Sequence, residues 1–227
     1  MLDKRKKSKW LYQIIIVLVG ISLLYGIEKG TKMKLPVPRY KSEISVEQAI
    51  SERRSIRDYK DEALTLEEVS QLLWSAQGKT SNWGGRAIPS AGATYPLVIY
   101  LVVGKVDGLD VGIYRYDGDK HELERLSHKD VRSEIASAAW RQEFIAQAPI
   151  NIIITANYER ATKRYGKRGM RYVDNEVGHC GQNIHLQAEA LELGTVVIGA
   201  FQDTMLIHTL GIKEEPLYIM PVGHKKD

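Results

Sequence analysis

The longest apolar stretch of the chain runs from Trp10 to Ile27 without one charged side chain. Its 18 residues lie near the lower length for a helix that crosses a bilayer. Trp10, Tyr12 and Tyr25 stand near its ends, where amphipathic rings favour the headgroup layer. A cleaved signal peptide and a buried helix are the competing readings. No small-residue cleavage pattern follows Tyr25-Gly26-Ile27-Glu28, and no cysteine lies nearby for lipid attachment. The pattern therefore predicts a basic segment over 1–9, an uncleaved single-pass anchor over 10–27 and a linker over 28–42. Leu35-Pro36-Val37-Pro38 reads as extended chain within that linker, because proline fixes its own φ and keeps its predecessor out of helix. Five basic residues flank the span on either side, so the positive-inside rule leaves its orientation open.

Beyond residue 42 the pattern alternates between helical and strand periods and reads as one α+β domain over 43–227. Ser45 with Gln48, and Thr65 with Glu68, form capping boxes that open helices at about 46–54 and 66–77. Leu97 to Val103 is a run of branched and aromatic residues that predicts a strand. Segments 112–116 and 122–126 flank Asp117-Gly118, a hairpin signal. Strands are also expected at 151–155, 196–198 and 217–222. Val173, Val177, Ile184, Leu186, Ala190 and Leu193 give residues 171–193 the pattern of a long, mostly buried helix.

Composition adds two exclusions. A single cysteine, Cys180, rules out an intrachain disulfide framework and a multi-cysteine metal site. The net charge of +4 looks at first like a nucleic-acid signal, but its location removes that reading. Residues 1–35 hold eight basic and two acidic side chains, whereas the other 192 residues hold 24 basic and 26 acidic ones. The domain itself is slightly acidic and has no compositional claim on a phosphate backbone. No nucleic-acid partner is expected.

Four clusters could carry chemistry. In Arg53-Arg54-Ser55-Ile56-Arg57-Asp58-Tyr59, three arginines and a hydroxyl leave the end of a short helix. Arginine suits phosphate and other anions, although a solvated helix end that favours its own dipole is the plainer account. Pro89-Ser90-Ala91-Gly92-Ala93-Thr94-Tyr95-Pro96 is a stiff loop of small residues, open to close approach by a planar group or simply a connection. Gly178 and Gly181 weaken the long helix and predict something packed closely there. His185 and Glu189 lie one turn apart, with core packing the better account than a metal; no metal site is expected. The chain ends in Met220-Pro221-Val222-Gly223-His224-Lys225. Neither a Walker A pattern nor a G-x-G-x-x-G fingerprint is present.

Taken together and in order, these stretches resemble the nitroreductase-like flavin family over about residues 43–224. Within it they are most similar to the SagB/ThcOx-type dehydrogenase branch. The resemblance implies an α+β nitroreductase-like fold, a mixed central sheet flanked by helices and an intertwined homodimer with FMN at the interface. It implies that Arg53, Arg54 and Ser55 hold the FMN phosphate and ribityl chain, and that Arg57 faces the pyrimidine edge of the ring. Pro89, Ser90, Ala91 and Gly92 would be laid against the flavin by the partner subunit. Gln142 falls near a polar ring contact, Ile198, Gly199 and Ala200 near the N5 side, and His224 and Lys225 at the phosphate end.

Two departures qualify the resemblance. The terminal glycine is followed by His224 and Lys225 where an arginine is usual. The azoline-oxidising members use a Lys–Tyr pair ahead of the long helix, and here Arg164 and Tyr165 occupy that place as the catalytic candidates. An arginine stays protonated and cannot act as a general base as lysine can. The expected function is a membrane-tethered FMN-dependent oxidoreductase that passes electrons from NAD(P)H to a small organic acceptor in a ping-pong cycle. Azoline-type peptide dehydrogenation and flavin binding without turnover stay as alternatives.

Overall fold

The computed structural model describes residues 30–226. The anchor expected over 10–27 lies outside them. Among the described residues no helix is long and apolar enough to cross a membrane. The expected single-pass membrane location is corrected on that finding.

Seven strands form one sheet: β1 (Lys32–Lys34), β2 (Leu97–Val103), β3 (Gly112–Asp117), β4 (Glu122–Ser127), β5 (Ile150–Ala156), β6 (Leu193–Thr195) and β7 (Glu215–His224). Their spatial order is β1-β4-β3-β2-β5-β7-β6. Every pairing between these strands is antiparallel, which corrects the mixed sheet expected above. Parallel contact is confined to isolated bridges such as Ser55 to Thr195. The helices are α1 (Val46–Glu52), α2 (Leu66–Gln77), α3 (Arg132–Ala138), α4 (Phe144–Gln147), α5 (Tyr158–Tyr165), α6 (Arg168–Glu189) and α7 (Asp203–Leu210).

Helices cover both faces of the sheet, and the central strands show why they read as unbroken apolar runs. Alternate residues of a strand point to opposite faces. In β2, Ile99, Leu101 and Val103 enter one core with Leu72, Leu73 and Ala76 of α2 and Val173, Cys180 and Ile184 of α6. Val98, Tyr100 and Val102 enter a second core with Ile135 of α3, Ile145 of α4 and Leu206 of α7. A strand buried on both faces cannot alternate apolar with polar.

The 28–42 segment is not a free linker. Met33 pairs with Leu123 in the sheet, and Leu35 is buried. Pro36 accepts a hydrogen bond from Ser70 Oγ at 2.6 Å, and the side chain of Gln71 pairs with both backbone groups of Arg39. Polar residues on the buried side of α2 hold this stretch, a long-range pairing that local composition does not reveal.

Other boundaries move for local reasons. The first helix stops at Glu52, since Arg53 turns to φ −50°, ψ 125°. The hairpin closes over residues 118–121, with Asp117 Oδ1 accepting from the amides of Asp119 and Lys120 and His121 at φ 55°. The strand expected at 196–198 lies at Leu193–Thr195, where it pairs with the end of β7; Ile198 only bridges to Ile219. The long helix ends at Glu189, and Glu192 turns the chain at φ 60°.

Candidate functional site

The residues singled out above gather into two groups. The first surrounds the C-terminal part of α6. Residues 53–59 run past β6, with the Ile56 amide donating to the Thr195 carbonyl at 2.9 Å and the Tyr59 hydroxyl to the Ile56 carbonyl at 2.7 Å. Gly194 permits this close approach, because a β-carbon there would meet Ile56 Cγ2 at 2.6 Å. Arg53 is half-buried and lies close enough to His185 that its charge opposes protonation of the ring. Burial is the larger cause, and together they push His185 down to about 4, so it is neutral at pH 7. Its Nδ1 is buried without a hydrogen-bond partner.

Among the described residues Arg53 and Arg57 form no ion pair; Arg57 sits 6.0 Å from the centre of the Phe144 ring. Ser55 is exposed beside them. Arg54 is committed differently. Its Nη1 donates to the carbonyls of Ser51 and Arg53 at 2.9 and 2.8 Å, which satisfies groups left open at the end of α1. Ile198, Gly199 and Ala200 follow β6, and Gly199 passes close to the Tyr218 ring. Gln142 turns its amide to the Ala139 carbonyl at 2.9 Å, just ahead of Phe144.

His224 and Lys225 are engaged within the chain. His224 Nε2 lies 3.3 Å from the Ala63 carbonyl, and Lys225 Nζ pairs with Glu189 Oε1 at 2.6 Å. Glu189 is nearly buried, and a carboxylate there needs a cation beside it. Both residues expected at the phosphate end thus contact groups of the chain itself.

The second group surrounds the N-terminal half of α6 and the loop at 89–96. This loop is strained: Gly92, Ala93 and Tyr95 all have positive φ, at 58°, 53° and 42°. Arg164 Nη1 donates to the Gly92 carbonyl at 3.0 Å, and Arg160 Nη1 to the Tyr95 carbonyl at 2.9 Å. Arg86 stacks 4.5 Å from the centre of the Tyr95 ring. The Tyr165 ring meets Tyr172 edge-on, with centres 5.1 Å apart. The loop therefore rests on α5 through the carbonyls of Gly92 and Tyr95. Arg164 and Tyr165 fix the loop's shape.

Glu176, which the sequence reading passed over, lies beneath Ser90. Its side chain is buried, and its Oε1 has no hydrogen-bond partner. Burial raises its carboxyl to about 7, although Ser90 and Arg86 pull the other way. A signal was available, because Glu176 shares the apolar stripe of Val173, Val177 and Cys180. Burial and the neighbouring Glu176 also push the Cys180 thiol up, so it is unreactive.

The two groups do not meet within one chain. Glu176 and His185 are nine residues apart on α6, and Glu189 is four further on. At about 1.5 Å per residue the groups are separated by roughly 14–20 Å. Of the two helix glycines between them, Gly181 packs near Val197 and Tyr218, as close packing predicted. Gly178 faces open space, and among the described residues nothing comes within 4 Å of where its β-carbon would lie.

Comparison with known proteins shows the family of this fold. A protein of Methanocaldococcus jannaschii named for the nitroreductases is 48% identical over 196 residues, covering 86% of this chain and 98% of its own. The trifolitoxin-processing protein of Rhizobium leguminosarum bv. trifolii is 30% identical over 150 residues, and the match spans only 38% of that relative. A nitroreductase-type structure from Ralstonia eutropha JMP134 superposes with a TM-score of 0.77 at 26% identity, covering 88% of this chain and 92% of its own. Another from Desulfovibrio desulfuricans, determined in complex with FMN, has a TM-score of 0.60 at 23% identity and covers 82% and 89%. The model of the Nitroreductase family matches residues 50–224, a span that takes in both groups of site residues, and the chain belongs to that family.

Proposed function

We propose that the protein is an FMN-dependent oxidoreductase, reduced by NAD(P)H, whose site is completed by a second copy of the chain. One observation carries the reading. Arg53 lies beside a neutral, buried imidazole with an unpartnered Nδ1, and neither Arg53 nor Arg57, over the Phe144 ring, is in an ion pair among the described residues, a set suited to a phosphorylated, electron-rich ligand. Family membership and the FMN complex of a relative with the same fold support the choice of ligand.

The residues present fit the cofactor. Arg53 and Ser55 would hold the phosphate and the polar chain, while Arg54 closes the end of α1 behind them. Arg57 would place positive charge against the ring edge that becomes electron-rich on reduction. Ile198, Gly199 and Ala200 would line one edge, and Gln142 would bring its amide near the ring. Bound there, FMN supplies hydride transfer at its ring.

The 89–96 loop completes this site only from another chain. An antiparallel crossing of two α6 helices near Gly178 would lay the N-terminal half of one helix, with its loop, against the C-terminal half of the other. The exposed stripe of Arg171, Asn175, Gly178 and Gln182 has the spacing for such a contact, with the glycine at its centre. A two-fold dimer would then carry two equivalent sites, each open to a small acceptor.

The test is titration of purified protein with FMN, followed by anaerobic addition of NADH or NADPH. The reading requires about one FMN per chain, bleaching of flavin absorbance by a nicotinamide, and a dimer by light scattering. Failure to bind FMN would overturn it.

Similarity to the trifolitoxin-processing protein favours a second reading, oxidation of a peptide heterocycle. The bond from Arg164 to the Gly92 carbonyl weighs against it, since that side chain carries a permanent charge and supports a loop. Turnover of azoline peptides would decide for the second reading.

A further inference from the structure

The sheet opens at one end. β2 pairs with β3 only from Tyr100 onward, opposite Arg115, whereas its first residue, Leu97, is already paired with Ala156 of β5. Beyond Arg115, β3 stays with β4 through Tyr116 and Asp117. β2 and β3 therefore part at residues 97–99, and a cavity of about 240 Å³ lies in the fork. Its walls are mostly polar, with Gln77 from the end of α2, Arg86 from the chain before the 89–96 loop, Arg115 from β3 and Arg160 from α5.

Two groups in that wall are donors without acceptors. Gln77 is 4% exposed, and its Nε2 has no hydrogen-bond partner among the described residues. Arg86 Nε is buried in the same condition, although Nη2 of that guanidinium reaches Asp119 Oδ2 at 2.9 Å. Buried donors are nearly always paired, because an unpaired one costs the whole of its desolvation. A guanidinium N–H only donates, so the group that satisfies it must accept, which suits an oxyanion and not a metal ion.

The charges around the cavity agree. Asp119 is paired with Arg86, Asp117 lies 3.8 Å from Lys120 Nζ, and Glu124 stands opposite Arg115 across the β3–β4 ladder. Arg160 is in no ion pair among the described residues, and its Nη1 donates to the Tyr95 carbonyl at 2.9 Å.

We infer that this fork is a binding site for a small oxyanion, a phosphate or carboxylate group, held by Gln77 Nε2, Arg86 Nε and the Arg160 guanidinium. Guanidinium groups match the paired oxygens of such anions and give them charge-assisted hydrogen bonds. At about 240 Å³ the cavity is smaller than pockets for drug-sized ligands and takes a compact group. None of these donors belongs to the set proposed above for FMN. Two of them, Arg86 and Arg160, also hold Tyr95, so the ion would sit directly behind the 89–96 loop.

Titration calorimetry of the full chain at low ionic strength, with inorganic phosphate and with succinate as probes, tests the site. About one ion per chain should bind. Gln77→Leu and Arg160→Met should each weaken binding about tenfold, as expected for one lost charge-assisted hydrogen bond. Gln77→Leu removes a buried donor that no acceptor meets, so without phosphate it should unfold at no lower temperature than the wild type. It should also lose the rise in Tm that phosphate gives the wild type, which separates a lost site from a lost fold. Hydrogen exchange should slow at residues 86–98 and 116–119 when the ion is present. Tighter binding of phosphate assigns the site to a phosphate group, and tighter binding of succinate to a carboxylate. Arg53→Met should bind the probes as the wild type does. Wild-type protein that takes up neither ion, or Gln77→Leu and Arg160→Met proteins that bind both as tightly as the wild type, would overturn the inference. Binding abolished by Arg53→Met would overturn it too, because the ion would then lie with the arginines proposed for FMN.

Discussion

Arg164 donates through Nη1 to the carbonyl oxygen of Gly92 at 3.0 Å, and the tyrosine that follows it in sequence lies against the same glycine. The pair named above as catalytic candidates thus supports a strained loop of small residues. Gly92 has φ 58°, and a β-carbon there would run into the Tyr165 hydroxyl and the Arg164 guanidinium. Gly92→Ala should destabilise the fold by about 1–2 kcal/mol from backbone strain alone. Urea unfolding should show that loss.

Lys225 and Glu189 form a partly buried ion pair at 2.6 Å. Lys225→Met leaves the Glu189 carboxylate without its cation. The loss should reach about 1–3 kcal/mol, below the figure for a fully buried pair because Lys225 is one-third exposed. Thermal unfolding checks this, and FMN affinity per folded chain should stay within about twofold, because Lys225 is occupied elsewhere. A much larger loss of affinity would restore the lysine to the phosphate site.

Arg53 carries the opposite expectation. It is without an ion pair among the described residues, so Arg53→Met should leave stability nearly unchanged. FMN binding should weaken about ten- to a hundredfold, the range for one lost charge-assisted hydrogen bond. Fluorescence titration measures it. Arg54→Met should act the other way, with more effect on the end of α1 than on affinity.

His185 sets an acid limit on stability. Its folded value, about 4, lies below the unfolded value near 6.5, so between these pH values the unfolded chain binds more protons. The contribution is fully present above about 6.5 and is lost as pH falls toward 4, up to about 3 kcal/mol. His121, lowered by burial, acts in the same direction. Urea unfolding at pH 7.5 and 4.5 should show His185→Gln losing less stability on acidification than the wild type.

The sequence by itself determined a good deal. The all-apolar run of Leu97–Val103 became the central strand at the expected bounds, because an element buried on both faces must be apolar throughout. Thr65 and Glu68 opened α2 where their reciprocal hydrogen bonds required it. Family membership, too, was legible, because short segments such as 53–59 and 89–96 keep their chemistry wherever the chain carries them. Other features rest on distant partners. Lys32–Lys34 has no strand pattern of its own and joins the sheet only because β4 offers an open edge. The pairing of Lys225 with Glu189 and of Arg164 with Gly92 joins residues 36 and 72 positions apart. No local periodicity encodes such contacts, and a carboxylate on an apolar stripe acquires its character only when the stripe is buried. Residue types and their order come from the sequence; which cations are left free, and which acid keeps its proton, only the packed structure decided, because desolvation and pairing depend on what folds against each side chain.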